Sequence, residues 1–438
     1  MPAAGSSRQP DAADPDRDET LGDRHSGKTH QGPTLSNARA GAAVTDSAES
    51  TGPRRPPESP GTTSDALTSL LALADIAVVS GLTPARPWDV RVTNTGLGAR
   101  VRREGLVGLG DAYVDGWWDC GALDQFFDRA LGADLPAHLS THPRVVFDFL
   151  VQKLRNLQNR RHARSNVESH YDLGNDVFEA MLDPYMQYTC GYWKTAADLD
   201  HAQEDKLDLI CRKLGLRQGM TLLDLGCGWG GLARFAAERY GVSVVGVNLS
   251  TEQLNYARER CRGLPVEFRL HDYRDTVGTF DRVASIGMFE HVGSKNHRTA
   301  MGLIHRCLSD DGLALIHFIA SRNSFPNRTH SEMAWIVKHI FPGLVLPSIG
   351  QIGGAIDDLM VLEDLHNFGA HYDRTLMAWA ANFERGWPRL SEKYGPRFAR
   401  TWRYYLLSAA GAFRARRYHL WQLVLSKHGV RGGYEPVR

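Results

Sequence analysis

Three observations predict a Rossmann-like α/β domain preceded by a small N-terminal domain and a disordered tail. First, the strand pattern Thr221-Leu222-Leu223-Asp224-Leu225 opens into Gly226-Cys227-Gly228-Trp229-Gly230-Gly231, and the helical pattern Leu232-Ala233-Arg234-Phe235 follows. Bare glycine backbone at such a strand-to-helix turn lets a ligand approach closely. Second, apolar runs recur at Ser243 to Val247, Val266 to Leu270, Asp281 to Ser285 and Leu313 to Phe318 with helical patterns between them, as in a mostly parallel doubly wound sheet. Third, residues 1–65 are rich in Ala, Gly, Pro, Ser, Thr, Asp and Arg and nearly lack aliphatic and aromatic side chains. Such a segment cannot offset its ordering entropy.

Between the tail and the sheet, residues 66–140 read as the small domain. Its elements are the apolar segment Ala66 to Ala74, a strand-like alternation from Val90 to Val101, and a separate core built from Tyr113, Trp117, Trp118, Phe126 and Phe127. Residues 141–164 form a basic linker or helix carrying Arg144, Lys153, Arg155, Arg160, Arg161 and Arg164, either a solvated face or a contact for anionic lipid. The α/β domain occupies 165–438, with helices dominating beyond Trp335 and ending in Trp402 to Ser426.

Composition bounds the function. With 438 residues and 42% hydrophobic content the chain can bury a large core. A net charge of +1 argues against a global electrostatic grip on nucleic acid. Six cysteines without a C-x-x-C pair point to reduced thiols in the cytoplasm and to no metal site. No apolar run approaches the roughly 18 residues of a spanning helix.

The glycine turn indicates a nucleotide-type ligand, although Gly226, Gly228 and Gly231 also satisfy the dinucleotide pattern. Asp224 sits poorly against a pyrophosphate but well for accepting hydrogen bonds from an ammonium group, which favours S-adenosylmethionine. Asn248, at the end of the second strand, replaces the acid that commonly grips a ribose. Asp272 and Tyr273 follow the third strand, where an acceptor and a ring could recognise adenine or simply cap a loop. Glu290 follows the fourth, where open α/β folds bind ligands; a helix-start acid is the plainer alternative. His317 lies in the fifth, as a core residue or a site residue.

Taken together, Ser169-His170-Tyr171-Asp172-Leu173-Gly174-Asn175-Asp176, Tyr188-Thr189-Cys190-Gly191-Tyr192-Trp193, the glycine turn, Gly287-Met288-Phe289-Glu290-His291-Val292-Gly293 and His366-Asn367-Phe368-Gly369-Ala370-His371-Tyr372-Asp373 closely resemble the cyclopropane-fatty-acyl-phospholipid synthases. The resemblance extends through Gly411-Ala412-Phe413-Arg414-Ala415-Arg416 and covers nearly everything after about residue 66. It implies an S-adenosylmethionine-dependent methyltransferase that adds a methylene unit to the cis double bond of an unsaturated phospholipid acyl chain. The alkene attacks the sulfonium methyl, a carbocation forms, and loss of a proton closes the ring.

By the same resemblance a bound bicarbonate takes that proton, held by Cys190, Glu290, His317, Tyr372 and the backbone of Ile319. The cofactor positions it implies are Tyr188, Thr189, Leu222, Leu223, Asp224, Leu225, Gly226, Cys227, Gly228, Trp229, Gly230, Asn248, Leu249, Gln253, Asp272 and Tyr273. Where some relatives carry a cysteine once proposed as the active-site thiol this chain has Ser408-Ala409-Ala410, and the noncovalent mechanism that the resemblance implies does not require that thiol. A lipid enzyme without a spanning helix is expected to associate peripherally with the inner face of the membrane. The family also includes homodimers. Related enzymes that trap the same cation as methyl-branched, methylene or hydroxylated chains are the nearest alternative. A noncatalytic binder would have lost polar anchors that are all present here, and a nucleic-acid methyltransferase would show a basic surface and base-flipping motif.

Overall fold

The computed structural model describes residues 62–81, 83–138, 174–322 and 328–438. The tail through residue 61, the basic segment 141–164 and the motif residues Ser169 to Leu173 lie outside the described residues. The first described helix, α1 at Thr62–Ala72, starts slightly before the expected Ala66. Strands β1 (Val78–Ser80), β2 (Val90–Val92) and β3 (Trp118–Cys120) form a small sheet beside α2 (Leu97–Val114) and α3 (Leu123–Gly132). The extended reading of Val90 to Val101 holds only to Val92. Asn94 then accepts the Gly96 amide at 2.9 Å, turning the chain into α2.

After α4 (Asn175–Met181) and α5 (Leu199–Lys213) comes the main domain: β4 (Thr221–Leu225), α6 (Gly231–Tyr240), β5 (Ser243–Asn248), α7 (Thr251–Arg260), β6 (Val266–Leu270), β7 (Phe280–Ile286), α8 (Phe289–Val292), α9 (His297–Cys307) and β8 (Leu308–Ser321). The chain ends with α10 (Arg328–His339), α11 (Ile349–Ile356), β9 (Val361–Asn367), α12 (Ala370–Arg414) and β10 (Tyr418–Ser426). The main sheet has the order β6-β5-β4-β7-β8-β10-β9, with parallel pairing from β6 through β8 and antiparallel pairing at β10. All five expected strands are present, β8 longer at both ends than Leu313 to Phe318.

Two expectations are corrected. The segment through Ser426 is not helical to its end: Tyr418–Ser426 is a strand between β8 and β9, pairing Tyr418 with Ser321 and Ser426 with Leu313. A short apolar run does not distinguish helix from buried strand by period, and here the long edge of β8 takes it up. Nor is the N-terminal core separate. Tyr113, Trp118 and Phe126 belong to one core with Tyr404, Tyr405 and Phe413 of α12. Three strands of three residues cannot close a core alone.

The junction is close and charged. At Gly411 of α12 a Cβ would lie 2.5 Å from the Asp124 carbonyl oxygen and 2.8 Å from the Asp128 amide nitrogen of α3. Arg414 bonds Asp124 at 2.7 Å and grips both oxygens of Asp373 at 2.8–2.9 Å, tying α3 to both ends of α12. On the other side Trp335 and Lys338 of α10 donate to Asp111 of α2 at 3.0 and 2.8 Å. Gly411→Val should force α12 off α3 backbone and lower stability by about 1–3 kcal/mol, read as a fall in thermal midpoint.

Candidate active site

The glycine turn after β4 is laced to β5: the amides of Gly226 and Cys227 donate to the Val247 carbonyl at 2.9 and 3.1 Å. Gly226 (φ 78°) and Gly228 (φ 54°) hold left-handed backbone, which a side chain would strain. This turn borders a cleft of about 980 Å³, mouth included, whose walls include Asn248, Leu249, Gln253, Asp272 and Tyr273. On its other side Tyr188, Thr189, Asp224, Cys227 and Trp229 line an adjoining cleft that shares Gly226, Gly228, Gln253 and Gly287 with the first. The structure therefore brings together most of the expected cofactor positions. Leu222, Leu223, Leu225 and Gly230 are not on these walls. The leucine side chains alternate into the two layers packed on the sheet, and Gly230 abuts Phe268 and Ala257.

Several of the polar groups already have protein partners. Asn248 donates to Gln253 Oε1 at 2.8 Å and its Oδ1 accepts the Leu249 amide at 2.8 Å, so this side chain organises the wall. Asp272 accepts from Arg274 Nε and Nη2, both at 2.7 Å. Trp229 is pinned by Asn175 Oδ1 at 2.9 Å. By contrast Asp224 Oδ2 and the Tyr273 hydroxyl are buried without a partner. Burial pushes the Asp224 carboxyl up to about 7, against the pull of Lys206.

Lys206 was not singled out from the sequence. Its side chain on α5 is fully buried, and Nζ donates to Gln187 Oε1 at 2.5 Å and Thr189 Oγ1 at 2.9 Å. Desolvation pulls its ammonium down to about 8, opposed by Asp183, Cys190 and Asp224. One helical turn earlier Gln203 donates to the Thr189 carbonyl at 2.8 Å. The available signal was a lysine in the apolar stripe Leu199, Ala202, Lys206, Leu209, where lysine is rarely buried unless paired.

A third cavity, about 740 Å³ with its mouth, opens beyond Thr189 and Gly287. Glu290, Ile319 and Tyr372 line it, and most of its remaining walls are apolar or aromatic, Met333, Ile336, Leu344, Leu346, Leu376 and Phe413 among them, with Thr189 and His291 as polar exceptions. Gly287 borders all three cavities. Glu290, on the short helix α8, accepts the Ile319 amide at 2.6 Å through Oε1, while Oε2 is buried without a partner. Burial raises its carboxyl to about 7, the Ile319 hydrogen bond working against the rise. The Tyr372 hydroxyl is held well above its usual range by desolvation and stays protonated.

The other two expected anchors do not reach the cavity wall. Cys190 is fully buried, its thiol 3.3 Å from the Gly191 carbonyl and 3.8 Å from Thr375 Oγ1, and burial keeps it protonated. His317, on β8, faces Gln422 through Nδ1 at 3.2 Å and is held neutral by desolvation. With the Gln422 amide donating to Nδ1, Nε2 carries the hydrogen and is itself buried without a partner. His291, Met288 and Phe341 line the cofactor cleft without having been expected. They follow from chain reversals that no strand period encodes.

A glycine-turn cleft at the carboxyl edge of this sheet, joined to an apolar cavity with a buried carboxylate, defines an enzyme of the Rossmann-like S-adenosylmethionine-dependent methyltransferase class. The profile of the mycolic acid cyclopropane synthetase family matches residues 158–423, and the chain belongs to that family. It is 48% identical over 369 residues to the cyclopropane-fatty-acyl-phospholipid synthase of Escherichia coli K12, spanning 84% of this chain and 94% of that one. That alignment is longer than the stretch from residue 158 to the end, so it runs into the N-terminal segment. The cyclopropane synthase MmaA2 of Mycobacterium tuberculosis superposes with a TM-score of 0.58 at 30% identity, covering 60% of this chain and 98% of that one. The mycolic acid cyclopropane synthase CmaA1 complexed with SAH and CTAB gives 0.57 at 32%, with the same coverage.

Lys206→Met should leave two buried acceptors and Asp224 without their cation. The expected cost is about 3 kcal/mol of unfolding free energy, measured in denaturant. Lys206→Arg should recover only part of it, because the guanidinium fork does not match two acceptors set for one ammonium.

Proposed function

We propose that this protein transfers a methylene unit from S-adenosylmethionine to the cis double bond of an unsaturated acyl chain of a membrane phospholipid. The carrying observation is that the glycine-turn cleft and the apolar cavity meet at Gly287, with Glu290 and Tyr372 on the apolar side. The unpartnered Asp224 Oδ2 suits the ammonium of the cofactor, and the unpartnered Tyr273 hydroxyl suits its nucleoside end. S-adenosylmethionine supplies an electrophilic methyl on a sulfonium. An alkene is a feeble nucleophile, so the cavity must align it and exclude water, and the apolar residues from α10, the loop after it and α12 suit that task.

A cation on the chain must lose a proton without being captured. On the wall of the apolar cavity Glu290 Oε2 and the Tyr372 hydroxyl are an acceptor and a donor that suit a small oxyanion, while His317 Nε2–H, set back from the wall, is a second buried donor without a partner. Bicarbonate held there would supply a weak base of the required kind. Cys190 does not fit that role here, because its thiol lies against the Gly191 carbonyl and off the wall. The Ile319 amide, bonded to Glu290, would act by orienting the carboxylate. None of the described helices is long and apolar enough to span a membrane. As part of the same proposal the protein is cytoplasmic, attaches reversibly to the inner face of the bilayer through its own surface, and is able to dimerise.

Purified protein given labelled S-adenosylmethionine and unsaturated phospholipid vesicles should add one CH₂ per reacted acyl chain, with no new double bond or hydroxyl and with a product that resists hydrogenation. Methyl-branched, methylene or hydroxylated products would replace cyclopropanation with the related chemistry. Glu290→Gln should lower turnover by about a hundredfold or more while leaving cofactor affinity within about twofold. Because burial lifts the Asp224 carboxyl to about 7, it is mostly protonated at pH 6 and ionised by pH 8. Affinity for the cationic cofactor should rise across that window, and Asp224→Asn should both weaken binding and flatten the rise, by calorimetric titration.

A further inference from the structure

A second apolar cavity, about 840 Å³ with its mouth, lies where the N-terminal helices meet α10 and α12. Leu70 of α1, Leu109 of α2, Ala130 of α3 and Trp335 of α10 line it. Ile336 and Tyr418 line both this cavity and the catalytic one, so the two adjoin at those side chains. Helix α12 divides them. Tyr404, Ser408 and Ala412 face the second cavity, while their neighbours Tyr405, Ala409 and Phe413 face the first.

Three of the five polar side chains on its walls are engaged elsewhere, the other two being Tyr404 and Tyr418, which present mostly ring surface. Trp335 Nε1 donates to Asp111, Ser408 Oγ to the Tyr405 carbonyl at 3.2 Å, and Glu332 holds Arg417 at 2.8 Å. A hydrocarbon is what such walls receive.

We propose that this cavity takes the second acyl chain of the same phospholipid whose unsaturated chain occupies the catalytic cavity. The inference rests on the proposed function. Two apolar slots on adjoining faces of one helix, meeting along one edge, match a lipid whose two chains leave one glycerol. The walls contributed by α1, α2 and α3 lie outside the family profile, which begins at residue 158. The alignment to the phospholipid synthase nevertheless extends into that segment. The N-terminal domain then has a task of its own: it closes the slot that a one-chain substrate does not need.

Ala130 lines only the second cavity, and Ala130→Phe fills it without touching the catalytic walls. Turnover is compared on a diacyl phospholipid and on the lysophospholipid with the same cis-unsaturated chain. The expected result is a loss of about tenfold or more in kcat/KM on the diacyl lipid, with the lysolipid within about twofold of wild type. Equal losses on both, no loss on either, or a loss that follows the length of the reacting chain would overturn the proposal. Independently of any variant, wild-type protein is photolysed with a phospholipid carrying a diazirine on its saturated chain. Adducts at Leu109 or Trp335 support the assignment, and adducts confined to Leu344, Leu376 or Phe413, or none, reject it. If wild-type protein alkylates neither lipid, it is the proposed function that fails.

Discussion

Everything at this site depends on ionisable groups being carried into a dry interior and balanced there. Lys206, Asp224 and Glu290 are all nearly inaccessible to solvent. Removing an ion from water costs several kcal/mol even after relaxation, so none of the three could be buried as a bystander. Lys206 is offset by two direct acceptors and by the field of Asp183 and Asp224. The two carboxyls are each left with one bare oxygen and sit near neutrality.

The same constraint explains the architecture. The buried carboxyl of Glu290 lies on a largely apolar cavity, and the sheet edge alone cannot keep water from it. Helix α12 supplies Tyr372 near its start and Tyr405, Ala409 and Phe413 near its end, folding back at Gly395, which carries a φ of 71°. Arg414 then bonds Asp373 beside Tyr372, so the two ends of the helical run are locked together over the cavity. The N-terminal elements pack against the outside of this arm and, through Asp111, against α10. Their contribution is to hold α10 and α12 as walls, which is why the aromatic rings of both regions form a single core.

Motifs and strands were legible because they are local. The glycine turn, the five parallel strands and the carboxylates at strand ends all follow from short-range pattern and from where open sheets bind ligands. Tyr372 and Ile319 came from a resemblance carried by contiguous motifs, Glu290 from its strand-end position as well, and the fold sets the three around one cavity. Asp224 could be read as a cation acceptor from its position alone.

What the chain order could not reveal was decided by packing between distant segments. The ambiguous run Tyr418–Ser426 became a strand only because β8 offers a free edge for it. Lys206 looks like any helix lysine until α5 turns that face inward onto Thr189 and Gln187. Cys190 and His317, chemically suited to an anion, were set back from the cavity wall by contacts with Gly191 and Gln422. Local sequence thus determined the class of chemistry, since residue type and backbone freedom are properties of a few neighbours. The reach of each side chain, its desolvation and the shape of the apolar cavities are sums over contacts from all of the fold, and only the tertiary structure decided them.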